Sequence, residues 1–476
     1  MRLRTILCLA ALGLASACSN GSSTPPDGST GIIPANCARP VSTSALPGLQ
    51  VQALGTHATG DNVAFTVPAG TASFTIMQQA KTANLNVTYK GQVIDNSAVP
   101  GVILQPDGGR AYDDNDPAFG GSPSPDGGTD PSGLYSFFGG GSPSTAAFTI
   151  PNTSFSLGAG VQPGAWHFTV NDYAYECVTG TPCNDGGTAG NSYDVIVVTK
   201  PAPPAKPTLD LAFYIVADVT NPLTGQKLTA ASSATDPSVQ RMVSTITTLY
   251  GNAGITISTP VFYDVTAAAV ARFGTHVNAD TTGPCDELDQ MFTLSADHPG
   301  NVLNLFLVQS ITSKSNGGGS VVGIDGTIPG PSSLSGTVHS GAAVSLADLF
   351  ANTGSCVGGP DVTCGADLTA FIAAHEAGHF LGLFHTTEAD GRDFDPITDT
   401  PKCPCLNCAA SADLPICATG PTSAHPIFLK ASQCSAATAA CAGGGNLMFW
   451  QLEAPVSAGV ISPQQAAVMA LSPVVH

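Results

Sequence analysis

The sequence predicts a multidomain protein, with an N-terminal all-β sandwich (jelly-roll-like) followed by an α+β domain. Apolar residues recur with a period of two between about residues 40 and 199, as they do in half-buried strands. The next eight residues, Lys200–Pro207, read KPAPPAKP, and this composition is typical of a stiff linker. Beyond the linker, some segments have the apolar period of a strand and others have that of a helix. We therefore assign residues 40–199 to the sandwich, 200–207 to the linker and 208–476 to the α+β domain.

Composition favours an exported protein and excludes some partners. The chain has 476 residues, enough for two domains of ordinary size, and only 10% of them are charged. With 53 glycines and 37 prolines, the composition fits loop-rich, β-rich extracellular domains. The formal charge of −19 argues against nucleic acid and anionic membrane surfaces as partners.

The N-terminus resembles a bacterial lipoprotein signal. Two arginines, Arg2 and Arg4, precede an apolar run, and ASAC ends at Cys18. We expect residues 1–18 to be a signal peptide ending at a lipidated Cys18, and residues 19–39, rich in Ser, Gly, Pro and Thr, to be a flexible tether. The protein would then be an outer-membrane or cell-surface lipoprotein, attached to the membrane only through its lipid. Ordinary secretion remains the alternative.

The cysteines also indicate export. Of fourteen, Cys8 lies in the signal and Cys18 is the lipidation site, which leaves an even number of twelve for disulfides. Two pairs are close in sequence, and six more lie together further on: Cys177/Cys183, Cys356/Cys364, and Cys403, Cys405, Cys408, Cys417, Cys434 and Cys441. The CxxC at 405–408 leaves a second zinc site as the alternative to disulfides there. Cys37 is expected in a disulfide, with a latency role as its alternative.

The strands of the sandwich are predicted from alternation and from the turns between them. The candidates are 63–67, 73–78, 85–89, 147–150, 167–170 and 193–198, separated by Gly/Pro/Asp-rich stretches of which the longest is 105–143.

In the second domain, Asp236 and Pro237 form the N-cap and first residue of a helix. Val239, Met242, Val243, Ile246 and Leu249 then give its apolar stripe. Strands are predicted at 209–219, 255–263, 302–308 and 341–346, and a second helix at Leu368–Leu383.

That second helix carries HEAGHFLGLFH, from His375 to His385. Helical spacing places His375 and His379 on one face, one turn apart, where both imidazoles can bind one cation. Gly382 permits a positive-φ turn that returns His385 as a third ligand. Three histidines leave one coordination position open, as in catalytic zinc sites. Glu376 follows the first ligand and can reach a water on the metal without being a ligand itself.

The family resemblance rests on this motif and two later ones. A Met-turn candidate, Asn446–Trp450 (NLMFW), follows the histidines, and the ITDTP element at 397–401 precedes the cysteine-rich loop. HExxHxxGxxH with a Met-turn is the metzincin signature. Together these elements resemble the pappalysin family of metzincin zinc metalloproteases, over roughly residues 208–476.

The resemblance implies a metzincin zinc-protease domain with its zinc in a cleft. An edge strand near Gly341–Leu346 would pair with an extended protein or peptide substrate. Glu376 would activate a zinc-bound water as general base, and Met448 would form an apolar floor beneath the histidines. Related metzincins often have a tyrosine where this chain has Trp450, and an indole supplies no phenol oxygen.

One acidic loop around Gly391 has the composition of a calcium site; its aspartates are Asp390, Asp393, Asp395 and Asp399. A purely structural role for this loop is the alternative.

The function that competes with a zinc endopeptidase is a catalytically silent surface protein that binds a ligand through its β-sandwich. The intact histidines and Glu376 favour the enzyme.

Overall fold

The structure is a computed structural model that describes most of the chain beyond residue 47. The described residues are 6–9, 42–43, 48–81, 87–89, 92–94, 96–114, 116, 119, 122–123, 128–138, 142–176, 184–185, 191–279, 285–313, 320–420, 428–435 and 441–476. The predicted tether, Cys18, Cys37 and the Cys177/Cys183 pair lie outside them.

Strands dominate the first part of the chain. They are β1 (Ile6–Leu9), β2 (Ser42–Thr43), β3 (Gln50–Ala58), β4 (Asn62–Val67), β5 (Thr71–Ala80), β6 (Val87–Tyr89), β7 (Gln92–Ile94), β8 (Asn96–Leu104), β9 (Arg110–Asp113), β10 (Ser122–Pro123), β11 (Thr129–Asp130), β12 (Ser142–Pro143), β13 (Thr145–Ile150), β14 (Gly164–Glu176), β15 (Asn184–Asp185) and β16 (Ser192–Pro201). One short helix, α1 (Ser154–Ala159), lies between β13 and β14.

Two antiparallel sheets form the first domain. One has the order β13-β5-β16-β3, and the other runs β12-β8-β14-β15 with β4 on β14 and β9 on β8. Side chains from both sheets share one core, where Phe74 of β5 meets Trp166 of β14 edge-on, with ring centroids 4.8 Å apart. The alternation in the sequence arises because alternate residues point into this core, as the buried Val63, Phe65 and Val67 of β4 do. The described residues of this part of the chain thus form mainly antiparallel sheet, as the alternation predicts, together with one short helix.

The predicted linker is partly structured. Strand β16 continues through Lys200 to Pro201, and Lys200 is 2% exposed. Its ammonium group donates hydrogen bonds to the carbonyls of Ala470 and Ser472 at 2.7 and 2.8 Å, and to that of Val475. The end of the sandwich is therefore joined directly to the C-terminal residues of the chain.

The second part of the chain is mixed. Its strands are β17 (Thr208–Leu209), β18 (Leu211–Ile215), β19 (Thr256–Ile257), β20 (Val261–Asp264), β21 (Val277–Asn278), β22 (Leu303–Val308), β23 (Ile311–Thr312), β24 (Ser320–Asp325), β25 (Leu334–Ser335), β26 (Ala342–Ser345) and β27 (Gln451–Leu452). Its helices are α2 (Ala230–Ser233), α3 (Pro237–Asn252), α4 (Ala267–Phe273), α5 (Glu287–Phe292), α6 (Gly365–Phe380), α7 (Cys405–Cys408), α8 (Leu414–Thr419) and α9 (Pro463–Leu471).

A central sheet with the order β20-β18-β22-β26-β24-β1-β27 is covered on both faces. Leu211, Phe213 and Ile215 of β18 enter the core shared with α3 and α6, while Ala212 and Tyr214 enter the core shared with α4 and α5. Burial on both faces explains why β18 is continuously apolar. The structure therefore has the predicted multidomain, β-rich α+β organisation.

Two features of this sheet differ from expectation. The predicted edge strand, β26, is an interior strand, because it pairs with β22 on one side and with β24 on the other. Strand β24 also lies next to α6, and it runs antiparallel to β26. Residues Ile6–Leu9, predicted to belong to a signal peptide, form β1, which lies between β24 and β27.

Within the described residues, we find no helix with both the length and the apolar character needed to cross a membrane.

Candidate metal centre

Helix α6 positions the first two histidines. All of its residues are buried, because the sheet, α3 and the segment around Met448 pack against different sides of it. This burial explains why apolar residues occur on every face of the helix. Asp367, in its first turn, receives two hydrogen bonds of 2.7 Å from the Arg241 guanidinium. Near its other end, the Tyr250 hydroxyl donates to the Ala374 carbonyl at 3.1 Å. These contacts fix the helix that carries His375 and His379.

Helix α6 ends at Phe380, just before the turn that brings His385 back towards the other two histidines. Gly382 has a φ of +102°, a conformation that glycine adopts without steric cost, so the predicted turn is confirmed. His385 follows this turn and is 4% exposed. The three side chains form a group whose ligand atoms all lie within 4.8 Å of one another, and it is the one such His/Cys/Asp/Glu group found among the described residues.

Each histidine uses its Nδ1 atom for a contact within the protein. The partners are the Leu447 carbonyl for His375 at 2.7 Å, the Leu383 carbonyl for His379 at 2.6 Å, and Glu388 Oε2 for His385 at 3.0 Å. Because carbonyls and carboxylates only accept, each Nδ1 carries the hydrogen. In the neutral ring, Nε2 then has a free lone pair.

These lone pairs face one another. His375 Nε2 lies 3.0 Å from His379 Nε2 and 3.2 Å from His385 Nε2. Burial lowers the pKa of His375 to about 3 and that of His379 well below its ordinary value, and neighbouring imidazoles act in the same direction. Neutral nitrogens at these separations repel unless a cation lies between them. Ligands about 2.0–2.1 Å from a tetrahedral ion stand about 3.3–3.4 Å apart, so the residues fit a metal ion.

Glu376 follows the first of these histidines on α6 and is buried with them. The side chain is 0% exposed, and neither carboxylate oxygen has a hydrogen-bond partner among the described residues. Burial, and then the charge of Asp325, raises its pKa well above the ordinary value, although the nearby backbone N–H of Asp325 acts in the opposite direction. It packs against β24 so closely that a Cβ on Gly323 would lie 2.5 Å from its Oε1. A buried carboxylate without a partner is costly in a purely structural role.

The Met-turn candidate lies beneath α6. A Cβ on Gly378 would lie 2.6 Å from Met448 Sδ, so the methionine packs against the helix between the two histidines. Asn446 Oδ1 accepts a hydrogen bond from the Met448 N–H at 2.8 Å and closes the turn. Trp450 is 2% exposed, and its indole N–H donates to the Leu429 carbonyl at 2.7 Å. Trp450 therefore belongs to the packing of the cysteine-rich loop.

The cysteine-rich loop is held by disulfides. Those within the described residues are Cys356–Cys364, Cys403–Cys434, Cys405–Cys417 and Cys408–Cys441. Disulfide bonding is thus confirmed, and the second zinc site at the CxxC is excluded because both cysteines are oxidised. Cys285 is also disulfide-bonded.

The four loop aspartates do not converge. Asp390 accepts from the Arg392 N–H, Asp393 from Thr129, Asp395 from the Thr400 hydroxyl, and Asp399 from the Ser462 hydroxyl and the Gln464 N–H. Each takes part in a different turn or contact, so the structure does not bring the four carboxylates together as one calcium site.

Three contributors to the site were not predicted from the sequence: Glu388 and the carbonyls of Leu383 and Leu447. Glu388, the partner of His385, lies three residues after the last histidine, and an acidic residue so close to a ligand was a usable signal. The Leu383 and Leu447 carbonyls gave no such signal, because every residue has a carbonyl.

Comparisons with known proteins add little. No protein-family profile and no curated protein matches this chain. Among solved structures, the Bacillus subtilis protein YxiM is 10% identical, with a TM-score of 0.12 over 52% of this chain and 46% of that chain. The chain thus spans about half the length of YxiM. No conclusion about fold or function follows from a TM-score this low.

Proposed function

We propose that this chain is a zinc-dependent endopeptidase of the metzincin class, resembling the pappalysins, that hydrolyses peptide bonds of extracellular proteins. The observation that carries the proposal is the pairing of three converging imidazole Nε2 atoms with the buried, unpartnered carboxylate of Glu376. Three histidine ligands leave a coordination position for a reactant, and neutral imidazoles suit zinc.

The residues divide the chemistry between them. Zinc, when bound, supplies a lowered water pKa and polarises the scissile carbonyl. His375, His379 and His385 hold it through Nε2, since each Nδ1 is already used. Glu376 accepts the proton of the attacking water and returns it to the leaving amine, which is general acid–base catalysis. Trp450 has no phenol and is turned towards Leu429, so this route does not involve it.

The position of β1 supports an extended peptide as the substrate. In that strand Leu7 pairs with Val321, and Cys8 pairs with Gly323. Gly323 is the residue that contacts Glu376. A chain segment in β conformation therefore fits beside β24, directly at the general base. Removal of residues 1–17, as the signal predicts, would free this place for a substrate strand bound by β-augmentation.

The disulfides support an oxidising, extracellular location. Lipid attachment at Cys18 is part of the proposal. Mass spectrometry of the mature N-terminus should find a diacylglyceryl-modified Cys18, and an unmodified terminus elsewhere would point to ordinary secretion.

Two variants test the activity. Glu376→Gln keeps size and polarity and changes no ligand, so we expect it to retain zinc while peptide hydrolysis falls by on the order of a hundredfold or more. His385→Ala removes a ligand and should lose the metal itself. Glu453→Gln, which alters a carboxylate that accepts from Ser432, is the control and should leave both properties unchanged.

Zinc content and cleavage of a broad peptide library are measured on all three variants and the wild type. Wild-type protein that holds zinc yet cleaves no peptide would contradict the proposal and support the catalytically silent binding protein.

A further inference from the structure

Gln465, on the C-terminal helix α9, is completely buried and faces the Met-turn. Its Oε1 accepts a hydrogen bond from Asn446 Nδ2 at 2.9 Å, and its Nε2 donates to Asn446 Oδ1 at 3.3 Å. The two amides therefore form a reciprocal pair, between residues that the metal motif does not include.

Two backbone groups determine the orientation of this pair. The Ser462 N–H donates to Gln465 Oε1 at 2.9 Å, and the Met448 N–H donates to Asn446 Oδ1 at 2.8 Å. Because a backbone N–H can only donate, both amide oxygens have to face these groups. Each amide then has one arrangement that satisfies all of its contacts, and Asn446 cannot rotate without breaking the Met448 contact.

Leu447, which lies between Asn446 and Met448, contacts His375 of the metal centre through its carbonyl. The Leu447 carbonyl accepts from His375 Nδ1 at 2.7 Å, which sets the ring orientation and leaves Nε2 free for the cation. On its other side, the Leu447 N–H donates to the Val460 carbonyl at 2.8 Å. The Leu447 carbonyl shares its peptide group with the Met448 N–H, which the Asn446 side chain accepts, and Gln465 holds that side chain.

Helix α9 is itself a fixed support. The Ser154 hydroxyl of the sandwich donates to Gln464 Oε1 at its first turn. At its last turn, Ser73 Oγ donates to the Leu471 carbonyl at 2.8 Å, and the Lys200 ammonium binds the carbonyls described above. Cations are favoured at helix C-termini. The sandwich therefore holds both ends of the helix from which Gln465 extends.

We infer that Gln465 is a positioning residue of the metal centre, which orients His375 through its amide pair with Asn446 and the carbonyl of Leu447. The inference rests on the proposed metal site and not on peptide hydrolysis, because it is tested through metal affinity. Partners that orient a metal-binding histidine typically change metal affinity by about 10–100-fold when they are removed. Since Gln465 acts through two intermediate residues, Asn446 and Leu447, we expect an effect at the lower end, about tenfold.

The competing explanation is that Gln465 only caps its own helix. Ser462 is the N-cap of α9, and its side chain and that of Gln465 accept each other's backbone N–H in a capping box. Both residues are therefore part of the cap, but only Gln465 reaches Asn446. Ser462→Ala is accordingly the matched control, since it breaks the cap and leaves the amide pair in place.

The experiment compares full-length wild type, Gln465→Met, Ser462→Ala, Asn446→Leu and the double variant Asn446→Leu/Gln465→Met. Zn²⁺ affinity is measured by competition with a chelator, Co²⁺ absorption reports the ligand geometry, and thermal unfolding without metal reports stability. Should Gln465→Met not fold, Gln465→Asn withdraws the same amide by one methylene group and is measured in its place.

We expect Gln465→Met to bind Zn²⁺ about tenfold more weakly, with an altered Co²⁺ spectrum, while Ser462→Ala loses stability and keeps its Zn²⁺ affinity within about twofold. In the double variant, the loss of Zn²⁺ affinity should not exceed that of Asn446→Leu alone, because both variants break the same Asn446–Gln465 amide pair. Equal Zn²⁺ affinity in Gln465→Met and wild type, or additive effects in the double variant, would overturn the inference.

Discussion

Glu388 Oε2 lies 3.0 Å from His385 Nδ1, and the other two histidines use backbone carbonyls in the same way. His385 is thus the one member of the group that depends on a side chain for its orientation. A carboxylate also raises the basicity of the imidazole it holds, which strengthens metal binding.

We predict that Glu388→Ala weakens Zn²⁺ binding by about 10–100-fold, because His385 loses the group that fixes its ring. Glu388→Gln keeps an acceptor oxygen and should lose less. Chelator competition measures both, with Glu453→Gln as the control. If Glu388→Ala bound Zn²⁺ as tightly as wild type, the carboxylate would have no role in the site.

Gly378→Ala should disturb the packing of α6 on the Met-turn. The new Cβ would lie 2.6 Å from Met448 Sδ and 3.3 Å from its Cε. Overpacking of this kind costs about 1–3 kcal/mol of unfolding free energy. Denaturant unfolding measures the loss. Gly354→Ala, at a position with open space, is the control. If the methionine is the obstacle, Gly378→Ala should cost less in a Met448→Ala background than in the wild type.

Arg241→Met should be strongly destabilising. Burial alone would raise the pKa of Asp367, but hydrogen bonds from Arg241 and Thr245 outweigh it and hold this pKa below its ordinary value. Removing the guanidinium leaves a completely buried carboxylate, at a cost of about 3–5 kcal/mol.

The comparison for Arg241→Met is Lys227→Met. The Lys227–Asp218 ion pair has side chains 58% and 56% exposed, and exposed pairs contribute about 0–1 kcal/mol. Similar unfolding free energies for the two variants would show that the buried pair does not stabilise α6.

Stability should depend on pH through Asp390. Burial is the main reason that the pKa of Asp390 is raised to about 6. The hydrogen bond from the Arg392 N–H lowers this pKa, and the negative charges of Asp393 and Glu388 raise it. The folded state therefore binds its proton more tightly than the unfolded state. Its contribution to stability is complete below about pH 4 and is lost as the pH rises through about 6.

Asp390→Asn removes this charge and keeps the acceptor for the Arg392 N–H. We expect the variant to be more stable than wild type at pH 7 by about 1–3 kcal/mol, with the difference vanishing near pH 4. Unfolding at both pH values checks this. Asp361→Asn is the control, because Asp361 accepts from the Thr363 N–H in the same way at an exposed position. A difference that did not change with pH would contradict the prediction.

The sequence alone predicted the features whose geometry is local. His375, His379, the Gly382 turn and His385 lie within eleven residues, so helical spacing and one positive-φ glycine determine their convergence. The N-cap at Asp236 and the strands of the sandwich follow from equally short-range patterns. The function assigned to this motif remains a prediction.

The tertiary structure decided everything that depends on the path of the chain between distant residues. The short spacing of Cys356 and Cys364 already predicted their disulfide. The interior place of β26, the separation of the loop aspartates and the pairing of the six clustered cysteines are instead set by how strands and loops stack. The contact of His375 with the Leu447 carbonyl joins residues 72 positions apart, and Gln465 orients that turn from another helix. Side-chain periodicity predicts which face of an element is buried, but only the folded chain determines what that face meets.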